Sequence, residues 1–276
     1  MKGLIKVLLK NKQLLVGSII TAAVILIAIF APYIAPHHPV DDANLLNALE
    51  PPGSQFLLGT DRQGRCQLSR IIYGARISLL IGFVTQGMNT IIGTALGLTA
   101  GFIGGRVDDL IMNFTNIMLS IPPLILALTI LAILGPSLFS IFIALGLTLW
   151  TYTCRVARAQ TLSFKEKEFV EASRSLGLSR FKIAIRHILP NIFGPLLVIA
   201  TFGVATAILL EASLSFLGIG TQPPAPSWGT MLSRARDYVY SAPWLMIYPG
   251  IALLVTVLGI NLMGDGLRDY WDPRTR

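Results

Sequence analysis

The sequence has little charge for its length, and this shortage limits what the chain can be. Only 13% of its 276 residues are Asp, Glu, Lys or Arg, whereas 53% are hydrophobic. Soluble domains carry roughly 25% charged residues. The mean hydropathy is +0.67. This composition excludes a chain whose main solvent is water.

Cysteine and histidine are also scarce, which bears on disulfides and metals. The two cysteines are Cys66 and Cys154. We expect them on opposite sides of a membrane, so they cannot satisfy disulfide geometry. His37 and His38 are adjacent, but no third ligand follows at the usual metal-site spacing. The pattern favours a solvated histidine pair over a metal site.

No site for converting energy is apparent. The sequence has no GxxxxGK[ST] phosphate-binding loop and no Gly-Lys dipeptide. Ion-driven carriers place a carboxylate or histidine deep in the membrane, but every acidic residue here lies outside the long apolar runs, with Glu211 at a margin. We therefore expect no catalytic residues, no metal site and no cofactor bound by this chain. Energy for active transport would come from another subunit.

Long uncharged runs dominate the chain. Each exceeds the ~20 residues that an α-helix needs to cross a bilayer. The runs are residues 13–40, 77–105, 110–154, 187–210 and 238–264. The third contains Gly135-Pro136-Ser137, a turn signal that divides it into two spans joined by a hairpin, the first span ending at Pro122-Pro123. The sequence thus predicts an all-α polytopic membrane protein with six transmembrane helices.

The distribution of charge predicts the topology. With the N-terminus in the cytoplasm, the inner segments hold 16 of the 22 Lys and Arg residues and 8 of the 14 Asp and Glu residues. The whole net charge of +8 then lies on the inner side, as the positive-inside rule expects. We expect both termini in the cytoplasm. The basic composition is a topology signal and poor evidence for nucleic-acid binding.

The polar segment after the first span predicts a small local structure. Residues 59–65 favour a turn, followed by a short amphipathic helix with Arg65 and Arg70 on its polar side. This helix would reach the second span at Tyr73-Gly74.

Polar and aromatic residues near the predicted span ends suggest contacts with the membrane surface. Arg155 and Arg158 are placed to extend towards the inner headgroups. Trp228 and Trp244 are placed like interfacial anchors, and Glu211 would mark the outer end of the fifth span.

Small residues spaced by four predict a smooth face on the second span. Such a stripe allows close helix contact, either within this subunit, which we favour, or at a subunit interface. The stripe consists of Gly93, Gly97, Gly101 and Gly105.

Polar residues in the third span predict either helix contacts or a water-filled path, because amides avoid lipid. Helix contact is the favoured use. The candidate pathway residues, taken from polarity and position, are Met112, Asn113 and Asn116.

A charged segment, Lys165–Asn191, separates two apolar runs. It holds six Lys or Arg residues and three carboxylates. Acidic residues at its start, a basic residue near its end and Gly177 in the position of a left-handed residue predict a first helix. Ser179 is placed to cap a second helix, which carries Phe181 on its apolar face and extends to Pro190. This helix-bend-helix also resembles a DNA-binding unit. That alternative is disfavoured, because both flanks enter the membrane and leave no third helix or separate core.

The same segment carries a family resemblance. It is similar to the EAA signature of permease subunits of binding-protein-dependent ABC importers, in which Glu-Ala-Ala, Gly and Leu-Pro recur at fixed spacing. The matching residues are Glu171-Ala172-Ser173, Gly177 and His187-Ile188-Leu189-Pro190, with departures at Ser173 and His187. Leu58-Gly59-Thr60-Asp61 resembles the second permease of the dipeptide, oligopeptide and nickel branch, although Cys66 departs from the acidic residue expected there.

The resemblance implies a type I ABC importer permease fold in the inner membrane of a prokaryote. Residues 1–74 would hold the first helix and an extracytoplasmic segment, and residues 75–276 a five-helix core with a coupling segment at 164–191. The implied partners are a second homologous permease forming a heterodimer, two cytoplasmic ATPases that bind ATP and Mg²⁺, and an extracytoplasmic binding protein; no nucleic acid is implied.

The implied function is a translocation pathway for peptides or nickel complexes. A multi-pass channel or ion-coupled secondary carrier without ATPases is the alternative. The resemblance implies contact with an ATPase through the coupling segment. The residues carried over are Phe169, Glu171, Ala172, Ser173, Leu176, Gly177, Leu189 and Pro190.

Overall fold

The computed structural model describes residues 11–271, and every regular element within them is helical. The all-α prediction is confirmed. The α-helices are α1 (Lys12–Ile29), α2 (Ala31–Ile34), α3 (Gln67–Ile103), α4 (Gly105–Ser120), α5 (Pro123–Leu134), α6 (Leu138–Thr148), α7 (Trp150–Lys165), α8 (Glu168–Ser175), α9 (Arg180–Ile183), α10 (Leu189–Phe216), α11 (Trp228–Ala235) and α12 (Trp244–Trp271). Short 3₁₀ turns occupy Leu45–Asn47 and Arg236–Tyr238, and a π-turn occupies Ala184–Ile188.

Five helical stretches are long and apolar enough to cross a membrane. They are Lys12–Ile29, Gln67–Ile103, Leu138–Lys165, Arg180–Phe216 and Trp244–Trp271. Helices α4 and α5 form a pair bent by 89°, which brings the number to six when the pair is one crossing.

The bend between α4 and α5 has a local cause. Ile121 is extended, as expected before a proline, and Pro123 has no N–H to continue the helix. The third span therefore does not end at these prolines. It turns there and continues as α5 to Gly135, whose backbone N–H is bonded to Leu131 O at 2.9 Å.

Contacts between distant residues define the two ends of the bundle. Asn11 Nδ2 donates to Asp269 at 3.2 Å, and Lys165 Nζ donates to Gly101 O at 3.5 Å. A Cβ atom added at Gly194, just after the charged segment, would lie 2.8 Å from Trp271 Cδ1 at the end of α12. The start of α1, the end of α12 and the charged segment therefore share one end, named here the segment end. The indole N–H of Trp228 bonds to Ile71 O at 3.1 Å at the opposite end, named the loop end.

Helix α3 is the centre of the bundle and packs against α1, α7 and α10. It begins at Gln67 and runs without interruption past Tyr73-Gly74, so the predicted separate amphipathic helix is not formed. The expected boundary at residue 74 lies inside this helix. Arg65 and Arg70 are 5% and 3% exposed and both face Asp61, so neither lies on a polar outer face as expected.

Two tryptophans expected at the membrane surface lie within the protein instead. Trp228 is only 2% exposed; its indole bonds to Ile71 O and its backbone N–H to Ser78 Oγ at 3.3 Å. Trp244 Nε1 donates to Thr60 O at 3.3 Å. An indole N–H needs an acceptor when buried, and here carbonyl groups of the bundle supply it.

Glu211 does not mark the outer end of a span. Helix α10 continues past it to Phe216, and its side chain is fully buried. One carboxylate oxygen, Oε1, accepts hydrogen bonds from Ser215 Oγ at 2.6 Å and from Thr221 Oγ1 and Ser227 Oγ, each at 3.0 Å. Ser227 in turn caps α11. Glu211 therefore ties the end of α10 to the loop and helix that follow.

Arg155 and Arg158 also bind within the protein rather than extending to headgroups. Arg158 Nη2 donates to Asp108 Oδ2 at 2.6 Å, and Arg155 Nη2 donates to Asn116 Oδ1 at 2.7 Å. Both contacts join α7 to α4. The acceptors on α4 could not be identified from the spacing of residues along α7 alone.

Candidate functional site

The first helix of the charged segment, α8, has one buried and one exposed side. Val170 and Ser173 are 0% and 7% exposed. Phe169 is 40% exposed and Leu176 is 80% exposed. Glu171 lies in the first turn, where a carboxylate complements the helix dipole. The helix thus presents apolar side chains outward at the segment end.

The bend after α8 is a Schellman motif. The backbone N–H of Gly177 bonds to Arg174 O at 2.9 Å, and that of Leu178 bonds to Ser173 O at 3.2 Å. Gly177 has φ +78°, which confirms the predicted left-handed conformation. A side chain there would meet no atom within 4 Å, so the conformation alone requires glycine.

The second helix of the segment is continuous with the fifth span. Ser179 caps α9 by accepting from Lys182 N at 3.4 Å, as predicted. The chain does not stop at Pro190. A π-turn over Ala184–Ile188 precedes the proline and carries the helix onward, and Asn191 Nδ2 donates to His187 O at 2.6 Å. The second helix of the segment and α10 therefore form one helical stretch, Arg180–Phe216.

An apolar cluster holds the segment against the bundle. It joins α3, α7, α8, α9 and the start of α10. Its buried members are Leu98, Phe102, Ala157, Val170, Ile183, Ala184, Ile188, Ile192 and Leu196. Leu189 packs at its edge and is half-buried. The segment is thus packed against the three spans α3, α7 and α10.

Several of the predicted coupling residues are exposed and others support the bend. Ala172 and Pro190 are exposed. Ser173 Oγ donates to Phe169 O at 2.7 Å. Phe181, expected on the apolar inner face of the second helix, is instead 77% exposed. The reason is that Ile183 and the π-turn residues Ala184 and Ile188 pack against the bundle, which leaves Phe181 on the outer side of this short helix.

The glycine stripe of α3 lies against α7 of the same chain. A Cβ atom added at Gly93 would lie 2.6 Å from Trp150 O, and one at Gly101 would lie 2.8 Å from Thr161 Cβ. Gly97 makes the same kind of close contact. Gly105 does not belong to the stripe, because α3 ends at Ile103 and nothing lies within 4 Å of a side chain at Gly105.

A cavity of about 530 Å³ lies between α3, α7, α10 and the end of α12. Its polar wall includes Gln86, Thr153, Thr206 and Arg268. A second cavity of about 490 Å³ shares Gln86 and is otherwise mostly apolar. Both are large enough for a small organic molecule.

The predicted pathway residues do not line these cavities. Met112 is half-buried and Asn113 is exposed on α4, and Asn116 is occupied by Arg155. Sequence reasoning missed Gln86, which lines both cavities, and Asn89, which lies three residues further along α3; both interrupt the second apolar run. Both are nearly or fully buried in α3. A polar amide inside an apolar run was the signal that would have found them.

These features define a class. A bundle of membrane-length helices with a polar-walled cavity and a bent segment continuous with one span is the architecture of a membrane transport protein.

Comparison with known proteins identifies the family. Residues 93–276 match the family described as "Binding-protein-dependent transport system inner membrane component". The chain belongs to this family and is a permease subunit of an ABC importer. Residues 2–52 match a second family, "N-terminal TM domain of oligopeptide transport permease C".

Individual relatives cover nearly the whole chain. The dipeptide transport system permease protein DppC of Alkalihalophilus pseudofirmus is 44% identical over 271 residues, 98% of this chain and 89% of the relative. The oligopeptide transport system permease protein OppC of Bacillus subtilis is 40% identical over 266 residues, 96% of this chain and 87% of the relative.

A solved structure supports the fold. Inward-facing conformations of the MetNI methionine ABC transporter include a chain that matches with a TM-score of 0.59 and 21% identity, covering 72% of this chain and 94% of that one. The type I importer permease fold is thereby confirmed.

Proposed function

We propose that this chain imports short peptides, forming half of a translocation pathway with a second permease. The observation that carries this proposal is the high identity, over nearly the full length, to permeases named for dipeptides and oligopeptides. Nickel complexes, which the sequence left open, have no comparable support.

The proposed energy source is a pair of ATPases that dock on the charged segment. We place the segment end in the cytoplasm, as the charge distribution favours. Phe169 and Leu176 offer the exposed apolar surface for a groove on the ATPase. Closure of the ATPases on ATP and Mg²⁺ would then move α8 with α9 and α10 as one rigid body.

At the loop end we propose that an extracytoplasmic binding protein delivers the peptide. The spans would then switch access of the pathway from one side to the other. The cavity bounded by Gln86, Thr153 and Arg268 is the proposed part of the pathway on this subunit. Its polar groups suit a substrate with amide bonds.

Reconstitution of the transporter tests this function. The complex in lipid nanodiscs, with its binding protein, should hydrolyse ATP several-fold faster when a mixture of di- and tripeptides is added. Nickel chelates serve as the comparison ligand. Stimulation by nickel chelates with none by peptides would overturn the proposed substrate.

A further inference from the structure

A small pocket at the loop end contains more positive than negative charge. Its volume is about 20 Å³. The charged residues that line it are one acid and four bases: Asp61, Arg62, Arg65, Arg70 and Arg234. The pocket brings together the segment before α3, the start of α3, and α11, which are far apart in sequence.

The single carboxylate is already fully engaged. Asp61 Oδ1 accepts from the backbone N–H groups of Gln63 at 2.8 Å and Arg65 at 3.1 Å. Asp61 Oδ2 accepts from Arg65 Nε at 2.8 Å and lies 3.5 Å from Arg70 Nε. One carboxylate neutralises one guanidinium, so at least one buried positive charge has no counterpart.

Of the three other arginines that line the pocket, Arg70 is held in place by the protein and Arg234 has all its donors available. Arg70 Nη1 donates to Pro39 O at 2.9 Å, which fixes a side chain that is only 3% exposed. Arg234 is half-buried, and it forms no hydrogen bond or ion pair with any residue of 11–271. Burial, together with the charges of Arg65 and Arg62, lowers the pKa of Arg234.

A guanidinium group stays protonated even so, because its ordinary pKa lies far above neutral pH. Leaving a charge buried without a counter-charge is costly. The structure therefore holds a cationic pocket that a further anion would stabilise. Planar guanidinium groups match carboxylates in particular, since two N–H donors face two oxygens.

We propose that this pocket receives the carboxylate of an acidic side chain that the binding protein presents on docking. The pocket has room for about one or two water molecules, so it accepts a head group and excludes a whole peptide. This proposal rests on the proposed function, which places a binding protein at the loop end.

Replacing Arg234 tests the site, with Arg236 as the matched control. Arg236 lies two residues away, is exposed, pairs with Asp237 at 3.9 Å and does not line the pocket. In the reconstituted transporter, Arg234→Ala should raise the Kd for the binding protein at least about tenfold, and the effect should shrink at high salt. Arg236→Ala should leave the Kd unchanged. Equal Kd values for the two variants would overturn the proposal.

A second measurement separates this proposal from the proposed function. Sodium acetate should raise the thermal unfolding midpoint of the purified transporter above that in sodium chloride at equal ionic strength, and Arg234→Ala should abolish the difference. This shift needs no binding protein, so it tests the carboxylate site even where peptide import fails. An acetate effect that is absent, or is retained in Arg234→Ala, would contradict the site.

The source of the carboxylate is tested with modified peptides. If the pocket bound the substrate instead, Arg234→Ala would leave docking intact and remove the preference for free over C-terminally amidated peptides. That result would overturn the assignment to the binding protein.

Discussion

Substituting valine for Gly177 tests the role of the bend. Gly177 has φ +78°, and a left-handed conformation costs a non-glycine residue about 1–2 kcal/mol, with more for a β-branched side chain. No atom lies within 4 Å of the added Cβ, so no packing is lost. The strain is therefore the only cost at this site, and it is small enough that the protein should remain folded in the membrane. Relief of the strain would change the angle between α8 and α9, and we expect peptide uptake below about a tenth of the parent rate.

Gly135 provides a matched control for this experiment. It has φ +79°, and a side chain there also meets nothing within 4 Å. Gly135 has ψ 157°, a backbone region that is essentially restricted to glycine, so Gly135→Val imposes at least as much backbone strain at the loop end, away from α8. Uptake and the amount of protein in the membrane should be measured for both variants. If Gly177→Val transports as well as Gly135→Val, the bend has no coupling role.

Three further predictions concern packing and polar contacts, each checked by thermal unfolding of the purified protein. Gly97→Ala should destabilise the protein by about 1–3 kcal/mol, because the added methyl group would clash with the backbone of α7. Gly87→Ala, on the same helix, has open space and should leave the stability unchanged. Similar unfolding midpoints for the two variants would be inconsistent with the α3–α7 contact. Glu211→Ala should cost about 1–3 kcal/mol, since three buried hydroxyl groups lose their acceptor; an unchanged midpoint would argue against the network. Arg158→Ala and Asp108→Ala should be non-additive, and additive effects would show that the pair is not coupled.

The parts of the fold that depend on neighbouring residues could be predicted from the sequence. The left-handed Gly177 and the cap at Ser179 follow from the residues beside them, and the structure shows both. The number of spans follows from the length of the apolar runs and the bilayer thickness.

Features that depend on distant residues could not be predicted. The local sequence predicts a membrane-surface position for Trp228, because the carbonyl that its indole binds, Ile71 O, lies 157 positions away in sequence. The spacing of residues predicts that Arg65 lies on the polar face of a helix, because the hydrophobic periodicity carries no information about its burial against Asp61. The pathway also depends on distant residues. A span that is apolar on all sides has no amphipathic pattern, so the sequence does not show which side of α3 faces the cavity with Gln86.

The continuation of the helix through Pro190 also could not be predicted from the local sequence. The sequence predicts that the helix ends at Pro190, because proline has no N–H to continue the helical hydrogen bonds. Here a π-turn precedes the proline and the apolar cluster beneath it holds the helix in register. Tertiary packing thus overrides the local signal.

Disulfide cross-linking from Leu176 to an ATPase subunit is the most direct test of the coupling segment. Leu176→Cys places a thiol on an 80% exposed position, while the native Cys66 and Cys154 are buried and should contribute little background. Tyr240→Cys, fully exposed at the loop end, is the control. We predict a cross-link between Leu176→Cys and a cysteine placed in the ATPase groove, with none from Tyr240→Cys. Absence of the Leu176→Cys cross-link along the whole groove, in complexes that hydrolyse ATP, would contradict energy transfer through this segment.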